Sequence, residues 1–256
     1  MSGLEVRTED GALWLQLNRP EQLNALSGEM VVEAVRQLRG ATARSDVRVV
    51  VLTGTGGSFS AGADLGGEAA QERYDASSVD AANQVIRAIT ELDKPVVCGL
   101  NGVAAGVGMS VALACDLVVA TESAALTLAF TKVGLMPDGG ATATVAASVG
   151  RARAMRLALL SDMISAREAF DAGLVSHVFP DAEYAEGLAK IVRRLATGAP
   201  LAFAATKKAV NAATLGGLGE AFQRERAGQA VLLRTDDVAE GMRAFAEKRR
   251  PVFQGR

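Results

Sequence analysis

The chain has 256 residues, of which 49% are hydrophobic, so it is long enough for one large domain with a sizeable buried core. Its 27 Lys and Arg residues nearly balance 29 Asp and Glu residues, and the net charge of −2 offers no overall attraction for nucleic acid or an anionic membrane. No apolar run is long enough to span a membrane, and the N-terminus lacks the apolar segment of a signal peptide. We therefore expect a soluble cytoplasmic protein.

The first quarter of the chain predicts a hairpin, a helix and a buried strand. Residues 4–7 and 12–17 alternate in polarity on either side of the turn signal Asp10-Gly11. Ser27 is a favoured N-cap and precedes apolar residues at helical spacing. The β-branched run at 47–52 is typical of a strand covered on both faces.

Three glycine-rich loops follow, and each one ends a strand or begins a helix. The first is TGTGGSFSAGADL at 53–65, before a predicted helix at 79–92. The second lies within 95–115, where a strand at 95–100 and the turn Asn101-Gly102 lead to a helix expected at 107–115. The third is MPDGG at 136–140. A helix start among glycines exposes backbone N–H donors to a ligand, although tight packing of strand on helix would use the same residues.

The rest of the chain changes from alternating strands and helices to helices alone. Strands are expected at 117–120 and 125–130 and a helix at 141–149, which together favour an α/β fold. After about Pro180 every periodic segment is helical, with helices expected at 184–196, 201–213, 219–233 and 238–246. We expect this tail to fold onto the core or onto a neighbouring molecule. Cys98 and Cys115 lie in apolar surroundings without the spacing of metal ligands, so we expect reduced core cysteines and no metal.

The loops together resemble those of the crotonase superfamily, the enoyl-CoA hydratase/isomerase group. The resemblance rests on six segments in the family's order: RPEQLNAL at 19–26, FSAGADL at 59–65, NGVAAGVG at 101–108, VGLMPDGG at 133–140, AREAFDAGLVSHVFP at 166–180 and FAEKRRPVF at 245–253. It implies an α/β spiral of ββα units over 1–197, carrying an acyl-CoA site, and a C-terminal helical region over 198–256. It also implies a homotrimer or a dimer of trimers.

The resemblance assigns roles to residues of the three loops and of the C-terminal helix. The backbone amides of Ala63 and Val107 would donate hydrogen bonds to the thioester oxygen as it gains enolate charge. The family usually has Gly where Val107 stands, so the Val side chain would narrow the acyl pocket. Asp64 would hold its loop through hydrogen bonds. Contacts to coenzyme A would come from Leu23, Ala25, Ala61, Asp64, Leu65, Phe245 and Lys248, although Lys248 could equally be a solvated charge.

The residues for proton transfer depart from the pattern of a hydratase. Hydratases of this family use two glutamates, and the matching positions here are Ser110 and Phe130. Neither side chain can act as a general acid or base near neutral pH. Asp138 remains nearby, at the position of the catalytic aspartate in dienoyl-CoA and phenylacetyl-CoA-type isomerases. The alternative is a purely structural role, in which Asp138 would cap the helix that follows Gly139-Gly140.

One carboxylate suffices to move a double bond, so the sequence favours an enoyl-CoA isomerase with Asp138 as its acid and base. The alternatives are an enoyl-CoA hydratase and a catalytically silent acyl-CoA-binding protein. Glu68 and Glu72 could supply a second carboxylate if their loop folded over the site. We expect no metal and no cofactor beyond the coenzyme A of the thioester substrate, and neither nucleic acid nor membrane as a partner.

Overall fold

The computed structural model describes residues 3–64 and 75–256. The strands of this part are β1 (Leu4–Glu9), β2 (Ala12–Leu17), β3 (Val49–Gly54), β4 (Ser58–Ser60), β5 (Val96–Leu100), β6 (Val103–Ala105), β7 (Leu117–Thr121), β8 (Ala125–Thr127), β9 (Ile164–Ser165) and β10 (His177–Phe179). Its α-helices are α1 (Gly28–Ala41), α2 (Ala76–Glu91), α3 (Val107–Ala114), α4 (Ala141–Leu160), α5 (Ala166–Asp171), α6 (Tyr184–Ala196), α7 (Pro200–Thr214), α8 (Leu218–Leu232) and α9 (Asp236–Ala246). Short 3₁₀ helices lie at Pro20–Gln22 and Ala129–Val133.

The strands form two sheets whose order reflects a repeated ββα unit. The larger sheet has the order β1-β2-β3-β5-β7-β10, and the smaller has the order β4-β6-β8-β9. The pairs β3–β4, β5–β6 and β7–β8 each place their first strand in the larger sheet and their second in the smaller one, and a helix follows each pair. The three glycine-rich loops meet in this arrangement, because Ala63, Val107 and Asp138, one from each loop, line the same cavity.

The predicted hairpin, helices and buried strands are present, except that the strand expected at 125–130 ends at Thr127 and a 3₁₀ helix begins at Ala129; other differences occur where elements are very short. The hairpin β1–β2 pairs Glu9 with Ala12, and the Ser27 hydroxyl accepts a hydrogen bond from Met30 N, as expected of an N-cap. The sequence interpretation placed a simple turn between β5 and α3, whereas β6 occupies Val103–Ala105. A three-residue strand is too short to show alternation. Helix α4 continues past the predicted end at residue 149 to Leu160, across an interruption at Gly150 (φ 72°).

The C-terminal helix α8 shares the hydrophobic core of its own chain. Leu218 and Phe222 belong to the main buried cluster, together with Ile86 and Ile89 of α2. The guanidinium of Arg87 also stacks 4.7 Å from the centre of the Phe222 ring. The sequence left open whether the helical tail folds onto the core or onto a neighbouring molecule. Helix α8 packs onto the core of its own chain. Within the described residues, no helix has both the length and the apolarity needed to cross a membrane.

Candidate active site

The first glycine loop is fixed against the segment that follows the first 3₁₀ helix. Leu26 N donates to the Gly62 carbonyl at 2.8 Å, and Asp64 N donates to the Leu26 carbonyl at 3.3 Å, which makes a parallel bridge between Leu26 and Ala63. This pattern does not use the N–H group of Ala63. In the described part of the chain no acceptor contacts that N–H, so it can donate to a ligand.

The second free donor is the N–H group of Val107, the first residue of α3. A first helical residue has no acceptor within its own helix, and none contacts Val107 N elsewhere in residues 3–64 and 75–256. The two loops pack tightly, because a Cβ atom added to Gly62 would lie 3.5 Å from Val107 N and 2.8 Å from the Ala105 carbonyl oxygen. The backbone amides of Ala63 and Val107 therefore border one site.

A cavity of about 410 Å³ opens beside these two amides. Among the described residues its apolar wall includes Val79, Ala82, Val107, Phe130, Val133, Leu135 and Leu233. The Val107 side chain is one of these wall groups, and a Cβ atom added to Gly139 would lie 3.5 Å from its Cγ2 atom. Val107 thus occupies space next to the loop that carries Asp138.

The residues predicted to bind coenzyme A are placed as follows. Those that line the cavity are Leu23, Ala25, Ala61, Asp64 and Phe245. Lys248 is exposed beyond the end of α9 and does not line the cavity in the single chain. Leu65 lies outside the described residues, as do Glu68 and Glu72.

Asp64 connects its loop to the segment that would hold the nucleotide. Its Oδ2 atom forms an ion pair with Arg19 Nη2 at 2.8 Å, and Arg19 Nη1 donates to the Ala25 carbonyl at 2.9 Å. Both side chains of the ion pair are about three-quarters buried, which limits screening by water. The ion pair joins the loop of Asp64 to the segment that carries Arg19 and Ala25, and the role of Asp64 in holding the loop stays a prediction.

Asp138 is a buried carboxylate that lines the cavity. Only 8% of the residue is exposed, and its Oδ2 atom accepts a hydrogen bond from Gln229 Nε2 at 2.8 Å. Burial raises the pKa of Asp138 from 3.8 to about 7; the hydrogen bond from Gln229 acts against this shift, and the charge of Glu225 adds to it. A carboxyl group with this pKa can both take and return a proton near neutral pH.

The helix after Gly139-Gly140 is capped by Glu225. Helix capping, the alternative role considered for Asp138, is thus performed by another side chain. Gly140 N donates to Glu225 Oε2 at 2.7 Å, and Thr142 N donates to Glu225 Oε1 at 2.9 Å. Gly140 itself is the N-cap residue of α4, and no side chain among its own neighbours caps the helix. The Asp138 carboxylate is thus available for a different task.

The two positions that lack glutamate have structural roles. The Ser110 hydroxyl is fully buried and donates to the backbone carbonyl of Asp138 at 2.8 Å, which holds the main chain of that loop. The Phe130 ring lines the cavity and adds apolar surface beside Asp138. Neither residue supplies a group that could activate water.

Gln229 and Glu225 are polar residues beside Asp138 that the sequence interpretation missed. Both lie on α8, whose buried positions are Leu218, Ala221, Phe222, Glu225 and Gln229. These positions have helical spacing and form one face of the helix. The presence of two polar residues on this otherwise apolar face is the sequence feature that could have identified them. Buried polar groups need partners, and these two find theirs in the loop of Asp138.

Comparisons with known proteins agree with one another over nearly the whole chain. A family model described as enoyl-CoA hydratase/isomerase matches residues 7–256. The chain is 37% identical to the 1,2-epoxyphenylacetyl-CoA isomerase of Escherichia coli K12 over 253 residues, with 97% of each chain covered. It is 36% identical to the 2,3-dehydroadipyl-CoA hydratase of the same organism over 256 residues, with both chains fully covered. A solved structure, an enoyl-CoA hydratase from Mycobacterium avium subsp. paratuberculosis K-10, is 45% identical and superposes with a TM-score of 0.93 over 98% of both chains.

Proposed function

The chain belongs to the enoyl-CoA hydratase/isomerase family, and from the geometry of its site we propose that it is an isomerase that shifts the double bond of an enoyl-CoA thioester. The structural match confirms the α/β fold of crotonase type with its C-terminal helices. The observation that carries the proposal is that, among the described residues lining the apolar cavity, Asp138 is the one buried carboxylate, and that the cavity also borders the amides of Ala63 and Val107.

The reaction needs one base and one site for negative charge. The thioester carbonyl oxygen accepts hydrogen bonds from Ala63 N and Val107 N, and Asp138 removes a proton from C2 of a 3-enoyl-CoA. The electron pair of that C–H bond moves into a dienolate, whose charge rests mainly on the thioester oxygen between the two donors. Asp138 then returns the proton to C4, and the double bond has moved from C3–C4 to C2–C3. The apolar walls keep water away from the intermediate.

Water addition is less well supported by the described residues. Hydration needs one group to activate water and one to protonate the carbon, and the positions of the family's two glutamates hold Ser110 and Phe130. One similar protein is named an isomerase and another a hydratase, so the names of relatives do not separate the two activities.

The remaining assignments follow from the family and are part of the same proposal. Leu23, Ala25, Ala61, Asp64, Leu65 and Phe245 contact the coenzyme A part of the substrate, and Lys248 approaches it from an adjacent subunit of a homotrimer or a dimer of trimers. The only small molecule required is the acyl-CoA thioester itself. The protein acts in the cytoplasm, without a nucleic acid or membrane partner.

The test is to incubate the purified protein in parallel with a 3-enoyl-CoA and a 2-enoyl-CoA and to identify the products by mass spectrometry. An isomerase converts the 3-enoyl substrate to a conjugated product of equal mass. A C2-deuterated 3-enoyl substrate should deliver part of its deuterium to C4, because one carboxyl group carries the proton between the two carbons.

Two other outcomes would replace the proposal. A 3-hydroxyacyl product, heavier by one water, would identify a hydratase. Binding of the thioester without turnover of either substrate would identify an acyl-CoA-binding protein. Asp138→Asn is the matched control, because it keeps the shape of the side chain and removes the base.

A further inference from the structure

Helix α8 holds the loop of Asp138 with two side chains that lie one helical turn apart. Gln229 makes a pair of hydrogen bonds with the backbone of Met136, accepting from Met136 N at 3.3 Å and donating to Met136 O at 2.9 Å. Glu225 accepts from Gly140 N and Thr142 N. The two residues therefore fix the loop on both sides of Asp138.

This loop needs support from outside because its own backbone is unusual. Gly139 and Gly140 are consecutive residues with positive φ, at 65° and 75°. Glycine adopts this backbone conformation readily, and it can also leave it easily. The Ser110 hydroxyl holds the carbonyl of Asp138 but does not reach its carboxylate. Among the described residues, the hydrogen bond to the carboxylate comes from Gln229 Nε2.

We propose that Gln229 is a positioning residue, which binds Oδ2 of Asp138 and thereby turns Oδ1 toward the acyl group of the substrate. Gln229 is 1% exposed, and each polar atom of its amide has a partner in the loop, so its orientation is determined by the structure. A carboxylate held through one oxygen presents the other in a fixed direction. That matters for a base that must reach two carbons of one substrate.

Gln229 and Glu225 also act on the proton of Asp138 in opposite directions. A hydrogen bond donated to the carboxylate stabilises the ionised form, whereas the negative charge of Glu225 disfavours it. In the described chain these two α8 groups are the ones that act on the Asp138 charge, and the Ser110 hydroxyl, from α3, is neutral. Burial raises the pKa of Asp138 most, and the two α8 groups adjust it from there while Gln229 also orients the carboxylate.

The test is a direct pH titration of Asp138 in the full chain. The titration is monitored by ¹³C NMR of protein labelled at the aspartate carboxyl carbons. The Asp138 signal is identified by its absence in Asp138→Asn. In Gln229→Met, which keeps the length of the side chain and removes the donor, we expect the titration midpoint to rise by about one pH unit. In Glu225→Gln the midpoint should fall. Gln37→Met, which removes a hydrogen bond to Glu33 on α1, should leave it unchanged.

Steady-state kinetics with a 3-enoyl-CoA supplies the second readout. Because a misdirected base slows proton transfer more than binding, kcat of Gln229→Met should fall about tenfold while KM stays within about twofold. If Gln229→Met does not fold, Gln229→Glu replaces it. That variant keeps the acceptor for Met136 N and places a second carboxyl group beside Asp138, so the upper of the two midpoints of the pair should lie above the midpoint of the parent.

The inference rests on the proposed function only for its kinetic part, so the two can fail separately. An unchanged midpoint and an unchanged kcat in folded Gln229→Met, with Asp138→Asn inactive, would overturn the positioning role and leave the proposed function standing. A shifted midpoint with full turnover by Asp138→Asn would show that Gln229 controls a carboxyl group that is not the base. Shifts in the same direction for Gln229→Met and Glu225→Gln would contradict the account of the α8 groups.

Discussion

Replacing Asp138 with Asn should stabilise the folded protein at pH 8. Burial raises the pKa of Asp138 from 3.8 to about 7 in the folded chain, so the folded state holds a proton that the unfolded state has lost between these two values. The stability that this group contributes is complete below about pH 4 and is lost as the pH rises through 7. Asn has no charge to bury, so it avoids the loss.

The size of the effect follows from the difference between the two pKa values. A rise from 3.8 to about 7 spans about three pH units, and at about 1.4 kcal/mol per unit the parent loses about 4 kcal/mol by pH 8. At pH 4.5 the loss has only begun and amounts to about 1 kcal/mol. The amide of Asn can still accept the hydrogen bond from Gln229 Nε2 through its oxygen, so the isosteric change adds little cost of its own.

Urea unfolding at fixed protein concentration, followed by circular dichroism at pH 8 and pH 4.5, measures both differences. Asp93→Asn, at an exposed carboxylate, is the control and should match the parent at both pH values. An Asp138→Asn protein that is less stable than the parent at pH 8 would refute the reasoning. So would a gain of the same size at both pH values, because the gain must follow the ionisation of the buried carboxyl.

Three further predictions concern the loop, the pH and the cavity wall. Arg19→Met removes the ion pair to Asp64 and the hydrogen bond to the Ala25 carbonyl, and it should lower kcat/KM about tenfold, whereas Arg36→Met, at an exposed pair on α1, should not change it. The kcat/KM of the parent should fall about tenfold per pH unit below about pH 7, as Asp138 is protonated; a profile that stays flat to pH 5 would mean a different base. Val107→Ala should cost about 2 kcal/mol of unfolding free energy in urea melts, yet raise the ratio of kcat/KM for long over short acyl chains. An unchanged ratio would show that Val107 does not limit the pocket.

The fold and the loops could be predicted because their signals are local in the sequence. Glycines mark the loops, Ser27 marks a helix start, and the segment around Asp138 resembles a family motif. The short strand β6 was not predicted, because a segment of three residues is too short to show an alternation of apolar and polar side chains. The position of Lys248 could not be predicted, because the sequence does not show where a charged side chain near the end of a helix points. In the single chain Lys248 is exposed and does not line the cavity.

The contacts of α8 could not be predicted for a different reason. Helical spacing shows that Glu225 and Gln229 share a buried face, but it does not show which loop that face meets. The loop of Asp138 lies far earlier in the chain, and only the packing of α8 on α2 and α4 brings the two together. Long-range pairing of this kind depends on the tertiary structure, so the capping of α4 by Glu225 and the hydrogen bond to Asp138 appear only there.

The central claim is that Asp138 alone moves the proton of a bound enoyl-CoA. The most direct measurement is kcat/KM of Asp138→Asn for a 3-enoyl-CoA at pH 8, relative to the parent protein. Removal of the one general acid and base should lower it by about a thousandfold, while KM changes little because the thioester contacts remain. A variant whose kcat/KM stays within threefold of the parent would contradict the claim, and the base would then have to be sought elsewhere in the chain.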